Sequence, residues 1–334
     1  MMPGGEPVNL RKQLRRSLAA LAFGPQELSQ FCNLGLRDPQ PDIKVWLVGM
    51  GAPRDVTHRN VLASTRPLVV GIGLEEIAEQ ETISEKRLEL EFRKGSDAQM
   101  LLGSVRLTFV DAVRLEGGEL LCLFRTHSPV NHCQARGTLW RRYLHFAYSQ
   151  WRNERGPHPP EIRMVARELH ALFIFYICPR PVVLVSVVDG NVGSMFPMDL
   201  VGPIGKRHFS IALHTTSKPL PLIESSRRIA LSSVPIEKMP LAYSLGKNHH
   251  KSSIDWTSLP FSMSRSCTLG LPIPDFSLRV REMEVVEVRE MGSHAFFVCR
   301  LVKDYSLIDG LQFFQAHGLY EEWRKQAVSP PAIH

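Results

Sequence analysis

The chain lacks paired cysteines. Its six, Cys32, Cys122, Cys133, Cys178, Cys267 and Cys299, stand singly with no C-x-x-C among them, so neither a metal knuckle nor a disulfide framework is indicated. Free thiols in a reducing, cytoplasmic setting are the simplest expectation. Long apolar runs are also missing: the longest, residues 171–178 and 181–188, fall well short of the roughly 20 residues that cross a bilayer as a helix, and no membrane partner is expected. There is no P-loop, no G-x-S-x-G elbow and no H-E-x-x-H, which removes any positive ground for NTPase, serine hydrolase or zincin chemistry. Gly71-x-Gly73 lacks the third glycine and the βαβ setting of a dinucleotide fingerprint. Segregated charge is scarce as well. The net charge is +7 and the pI about 9.2, but the basic residues are dispersed and no nucleic-acid signature accompanies them, so the balance points to a surface that tolerates anionic cofactors.

What is present is ordinary globular usage, 44% apolar and 22% charged over 334 residues. That is too long for one core of usual size and predicts two domains of about 150 residues. Near the start, arginines precede the short apolar block Leu18 to Phe23, which reads as an amphipathic first helix rather than a signal peptide.

An internal repeat supports the division. His145, Tyr148, Trp151 and Arg152 match His317, Tyr320, Trp323 and Arg324, both as H-x-x-Y-x-x-W-R. Spacings of three predict an aromatic stripe on one side of a helix, with core packing as its use. The likeness extends backwards. Residues 104–113, a turn at Gly117-Gly118 and residues 119–125 parallel residues 277–288, Gly292-Ser293 and residues 294–301, the last followed by a helix expected to hold Phe313 and Phe314. Alternating apolar positions joined by glycine turns are hairpin signals. Further upstream, residues 43–49, the loop at 54–60 and residues 67–73 parallel residues 182–188, the turn at 189–193, in which Asp189-Gly190-Asn191 reads as a hairpin turn, and residues 208–214. A duplication follows, with domains at 1–153 and 154–334. The polar, proline-rich stretch 153–160 marks the boundary, and a helix around 161–172 leads into the second half.

In residues 208–214, Phe209, Ile211 and Leu213 face one way, while His208, Ser210, Ala212 and His214 face the other, a side expected to be open to water or ligand. Residues 232–276, punctuated by Pro235, Pro240, Pro260, Pro272 and Pro274, form an excursion specific to the second half, and long loops of this kind often border sites. Within it Lys247, His249, His250 and Lys251 offer contacts for phosphate or an acidic substrate. Adjacent histidines diverge in regular structure and no third ligand is evident, so no metal is expected.

The order of P-R-P-V-V-L-V-S at 179–186, G-S-M-F-P-M-D-L at 193–200, T-T-S-K at 215–218 and G-S-H-A-F-F-V at 292–298 resembles the flavin reductase-like family of FMN-binding split barrels. The resemblance covers about 179–324. It implies a mainly β fold with flanking helices, two tandem split β-barrels, and flavin contacts from Ser194, Met195, Phe196, Pro197, Met198 and Asp199. It further implies a phosphate site at Thr215, Thr216, Ser217 and Lys218, where hydroxyls, a helix start and a cation suit an anion. The same residues also suit capping of a helix at 220–226, and both uses can hold at once. The family often carries Gly-Asp-His where this chain has Gly292, Ser293 and His294. His294 is implied as the catalytic residue near flavin or nicotinamide, although Ser293 replaces the acid, and a strand-end histidine bonded to backbone is the alternative. Glu119 stands at the corresponding place in the first half, and Val56 to Asn60 replaces the flavin loop, so the first half reads as degenerate.

By resemblance the activity is hydride transfer from NAD(P)H to FMN, or to FAD, with a flavin-accepting partner enzyme or a small-molecule substrate beyond it. Split barrels of this kind resemble homodimers with flavin between protomers, so the tandem implies a pseudo-dimer within one chain, a further homodimer being left open. A flavoenzyme acting directly on a metabolite is the second reading. A non-catalytic or haem-binding split barrel is the third.

Overall fold

The computed structural model describes residues 31–75, 87–154 and 166–328. The first-helix reading, the start of the helix expected near 161 and most of the 153–160 boundary lie outside the described residues. Among the described residues no helix is long and apolar enough to cross a membrane.

The first half contributes β1 (Phe31–Leu36), β2 (Ile43–Val48), β3 (Arg54–Asp55), β4 (Asn60–Thr65), β5 (Leu68–Leu74), β6 (Leu88–Lys94), β7 (Asp97–Arg114), β8 (Leu120–Asn131) and helix α1 (Arg136–Glu154). The second contributes α2 (Ala166–Phe175), β9 (Arg180–Pro181), β10 (Val183–Asp189), β11 (Val192–Met198), β12 (Val201–Pro203), β13 (His208–His214), α3 (Leu220–Ser226), β14 (Arg228–Ser233) and α4 (Met239–Leu245). It ends with β15 (Met263–Arg265), β16 (Pro272–Pro274), β17 (Arg279–Met291), β18 (His294–Ser306), β19 (Gln312–His317) and α5 (Gly318–Val328).

Two seven-stranded antiparallel sheets dominate, in the orders β3-β2-β6-β7-β8-β5-β4 and β11-β10-β14-β17-β18-β13-β12. The second order reproduces the first strand for strand, and the molecule is a mainly β pair of split barrels with flanking helices. Alternation explains the local structure. Ile43, Val45 and Leu47 of β2 are fully buried while the residues between them are half-buried, the period that a one-sided sheet requires. Gly190, at positive φ, closes the β10–β11 hairpin in the turn expected there.

Each sheet encloses its own core. Val70, Ile72, Leu90, Phe92, Cys122 and Phe124 fill the first; Val185, Phe196, Ile211, Leu213, Ile229 and Phe297 fill the second. A third cluster joins them, with Val61, Ala63, Val69, Leu121 and Leu123 packed against Ile204, Ala212, Phe296 and Val298. Burial of this shared surface corrects one expectation. The second face of β13 is not open to water, because His208, Ser210 and Ala212 are all sealed by the opposing sheet, and only His214 at the strand end stays half-exposed.

The halves also lend each other elements. β1 pairs along its whole length with β19, and Ala171, Leu172, Ile174 and Phe175 of α2 belong to the first core. This pairing overturns the expected helix at Phe313 and Phe314. Both lie on β19 and face opposite cores, because a neighbour on each side holds the segment extended. His317 accordingly ends a strand and α5 begins one residue later, so the H-x-x-Y-x-x-W-R repeat is helical throughout only in α1. There Tyr148 and Trp151 are 42% and 51% exposed and stack on each other, against the expected core role. Their counterparts differ: Tyr320 is buried and Trp323 packs on the first core.

Candidate functional site

At the open end of β13 and β18 the second half presents a polar rim. Register places His214 directly opposite His294, and the two imidazoles meet edge to face at 5.3 Å between centroids. The chain then turns through Thr215, Thr216 and Lys218, all exposed, and buried Ser217. The turn is internally wired. Thr215 N donates to the Ser293 carbonyl at 3.1 Å, Ser217 N to the His214 carbonyl at 2.9 Å and Lys218 N to the His249 carbonyl at 2.8 Å, while Thr216 N donates to His214 Nδ1 at 3.2 Å. These amides are therefore committed to protein acceptors, the Thr215 hydroxyl donates to the Ser293 carbonyl at 3.4 Å and the Thr216 hydroxyl to His214 Nδ1 at 2.7 Å, and the donor that stands ready for an incoming anion is the exposed Lys218 ammonium. Helix α3 starts as the spacing predicted, but its N-cap is Pro219 with no side-chain cap bond, so Thr215 to Lys218 do not cap it through their side chains.

The first half completes this rim. Ser293 N donates to the Arg66 carbonyl at 2.8 Å, Arg66 N donates to Ser293 Oγ at 3.1 Å, and Ser64 Oγ lies 3.4 Å from Ser293 Oγ. Gly292 has φ +64°, and a Cβ there would collide with the Arg66 carbonyl, so the approach of the two turns depends on glycine. Ser293 Oγ in turn meets His294 Nδ1 at 2.9 Å. The serine thus takes the place beside the imidazole where the resemblance had an acid. Arg66 and Ser64 had no signal in the sequence, since each acts across more than 220 positions.

The residues 194–199 lie differently. Ser194, Met195, Phe196 and Met198 are buried on β11, and only Pro197 and Asp199 are half-exposed. The outer edge of β11 is covered by the excursion. Asn248 Nδ2 donates to the Met195 carbonyl at 2.8 Å, His249 Nε2 lies 2.9 Å from the Pro197 carbonyl, and Ile254 N donates to the Gly193 carbonyl at 2.9 Å. His249 also approaches Ser217 Oγ at 3.4 Å and lies against Phe196 at 4.7 Å between ring centroids, which makes it the joint between β11 and the Thr215 to Lys218 turn. Asp199 points elsewhere: Tyr176 donates its hydroxyl to Asp199 Oδ2 at 2.5 Å. Burial raises the Asp199 carboxyl above its ordinary value and holds the Tyr176 hydroxyl well above its own.

Burial lowers the His294 imidazole to about 4, with His214 adding a smaller push in the same direction, and burial likewise lowers His249. Both are neutral near pH 7. The rim set of Arg66, His214, Thr215, Thr216, Ser217, Lys218, His249, Ser293 and His294 contains no carboxylate, and its cations are exposed. This donor chemistry fits a phosphate monoester.

The equivalent place in the first half has the opposite character. The residues after Glu119 alternate as those after His294 do, Leu120, Cys122 and Phe124 into the first core and Ala295, Phe297 and Cys299 into the second. Glu119 itself is buried, and its two oxygens accept from Lys206 N at 3.0 and 3.1 Å, with His208 Nδ1 at 3.7 Å. A buried, bonded acid occupies the position that His294 holds in the second half.

Comparison with known proteins agrees with the sequence resemblance. The family described as "Flavin reductase like domain" matches residues 175–317. No curated protein matches. Among solved structures, an FMN-binding protein from Thermus thermophilus with bound p-hydroxybenzaldehyde is 21% identical, with 46% of this chain and 79% of that one covered at a TM-score of 0.36. The NADH:FAD oxidoreductase SgcE6 of Streptomyces globisporus C-1027 is 13% identical, with 48% and 95% covered at a TM-score of 0.41. A flavoredoxin from Methanosarcina acetivorans is 16% identical, with 44% and 75% covered at a TM-score of 0.36.

Proposed function

With residues 175–317 forming a flavin reductase like domain, we propose that this chain binds one FMN at the rim of the second barrel and acts as an NAD(P)H-dependent flavin oxidoreductase. The observation that carries the reading is the exposed Lys218 ammonium at a turn that packs on His214 and on the neutral His294, in a rim set without a carboxylate. Lys218 holds the phosphate, with Arg66 from the first half as a second cation, and the Thr215 and Thr216 hydroxyls exchange their bonds to the Ser293 carbonyl and His214 Nδ1 for phosphate oxygens. His294, its Nδ1 engaged by Ser293, keeps Nε2 for the flavin or nicotinamide and orients it. The sealed interface behind β13 and β18 excludes water from one side of the site. The bound flavin supplies the chemistry itself, accepting a hydride from reduced nicotinamide. The matching strand orders of the two sheets support an origin by duplication, with domains at 1–153 and 154–334, the first half serving as the partner surface of a pseudo-dimer.

The test is a titration of purified protein with FMN followed by flavin absorbance and fluorescence, then addition of NADPH or NADH. The expected outcome is saturation at one FMN per chain and nicotinamide-dependent bleaching. Lys218→Ala should weaken FMN about tenfold, the scale of one charge-assisted hydrogen bond. Unchanged affinity in that variant would remove the phosphate assignment, and tight FMN binding without bleaching would remove the reductase assignment.

A further inference from the structure

A cavity of about 300 Å³ lies at the other end of the second barrel and shares no residue with the rim. Its walls are the apolar side chains of Pro181, Val183, Val201, Phe209, Leu231 and Phe314, several of them from the second core. The first half closes it, with Asp38, Gln40, Thr57 and Asn60 on the lining and exposed His58 at the mouth. The volume equals about ten waters at roughly 30 Å³ each and sits at the lower end of small-molecule sites.

The arginines around it are not paired alike. Arg281 bonds Asp38 at 2.6 Å and lies over the Phe209 ring. Arg279 bonds both oxygens of Asp304 at 2.5 and 2.6 Å. These two arginines and two aspartates cancel. Arg180 is the remainder. It is 7% exposed, and its guanidinium donates to the Asn60 carbonyl at 3.1 Å and to Asn60 Oδ1 at 2.7 Å, both neutral acceptors. Among the described residues its Nε is buried with no hydrogen-bond partner. The Asp199 carboxylate is near enough to feel Arg180, but it is bonded to Tyr176. A buried guanidinium with a vacant donor and no bonded carboxylate is costly unless an anion joins it.

We propose that this cavity is a second binding site, distinct from the flavin rim, for a small organic monocarboxylate whose apolar body fills the barrel mouth and whose carboxylate pairs with Arg180. The apolar walls select the body, and Arg180, with a vacant Nε and only the neutral Asn60 acceptors bonded to it, selects one negative charge. The ordinary fork geometry of guanidinium favours a carboxylate over a hydroxyl.

The probe is 3-phenylpropionate, with 3-phenylpropanol as its neutral analogue, titrated into the full chain in saturating FMN and followed by ligand-observed NMR. Saturable binding of the acid is expected with a Kd of about 1 mM or tighter, the scale for a ligand of this size. The alcohol should bind at least tenfold more weakly. Arg180→Gln, which keeps a donor for Asn60, should weaken the acid at least tenfold, and His58→Trp, on an exposed residue at the mouth, should abolish binding while leaving the fold and FMN affinity intact. Equal binding of acid and alcohol, full binding by either variant, displacement of the probe by FMN, or no saturable binding by the native chain would each overturn the site.

Discussion

His294 shows how one residue reports on the whole rim. Its folded value of about 4, set first by burial and then by His214, lies below the ordinary value of 6.5. Between those two values the folded state binds fewer protons than the unfolded chain, so the associated stability is fully present above pH 6.5 and is lost as pH falls toward 4. The full amount is on the order of 3 kcal/mol. Denaturant unfolding of His294→Gln should therefore show a shallower loss of stability across that window than the native chain; parallel curves would mean that the imidazole is not held neutral by burial. Glu119 makes the complementary case. Its carboxylate receives the Lys206 amide, so the first half offers no second cradle, and Glu119→Gln should leave FMN affinity within about twofold and stoichiometry at one per chain. A second equivalent of bound flavin in either protein would contradict that.

At the scale of elements, the excursion between β14 and β17 does more than border the site. Its short helical turn at Gly246–His250 closes the free edge of β11 with side-chain donors, while Ile254, Trp256, Leu259 and Phe261 pack over Leu184 and Met195. An edge strand otherwise presents unpaired carbonyls. Asn248→Ala should leave the Met195 carbonyl buried without its donor and cost about 1–3 kcal/mol, read as a lowered unfolding midpoint. It should also loosen FMN, because the neighbouring His249 carbonyl holds Lys218 N; a lowered midpoint with unaltered FMN affinity would show that the turn and the rim are independent.

For the whole molecule, the contact between the sheets is the decisive feature. A Cβ on Gly73 would strike the Ile204 carbonyl of the other half, so the two sheets approach backbone to backbone there. Gly73→Ala should force them apart at a cost of roughly 2–3 kcal/mol and weaken FMN through the displaced Arg66 and Ser293 pair, measured by urea unfolding and FMN titration. Native-like values for both would place the halves' coupling elsewhere. Exchange of β1 and α2 between the halves further ties them into one body.

The amino-acid order by itself determined the elements that local periodicity encodes. Alternating apolar residues with glycine turns marked the β7–β8 and β17–β18 hairpins, Asp189-Gly190-Asn191 marked a turn, and the order of motifs pointed to the half that matches the flavin reductase like domain. It also brought forward Thr215 to Lys218 and His294, because hydroxyls, a cation and an imidazole are chemically conspicuous. Only the tertiary structure decided which faces are closed, since both faces of β13 and of β19 are buried by elements distant in the chain. It turned Phe313 and Phe314 from helix to strand through β1, supplied Arg66 to Ser293 across 227 positions, and left Arg180 buried beside Asn60. Burial and pairing between remote segments are long-range properties, and no window of neighbouring residues contains them.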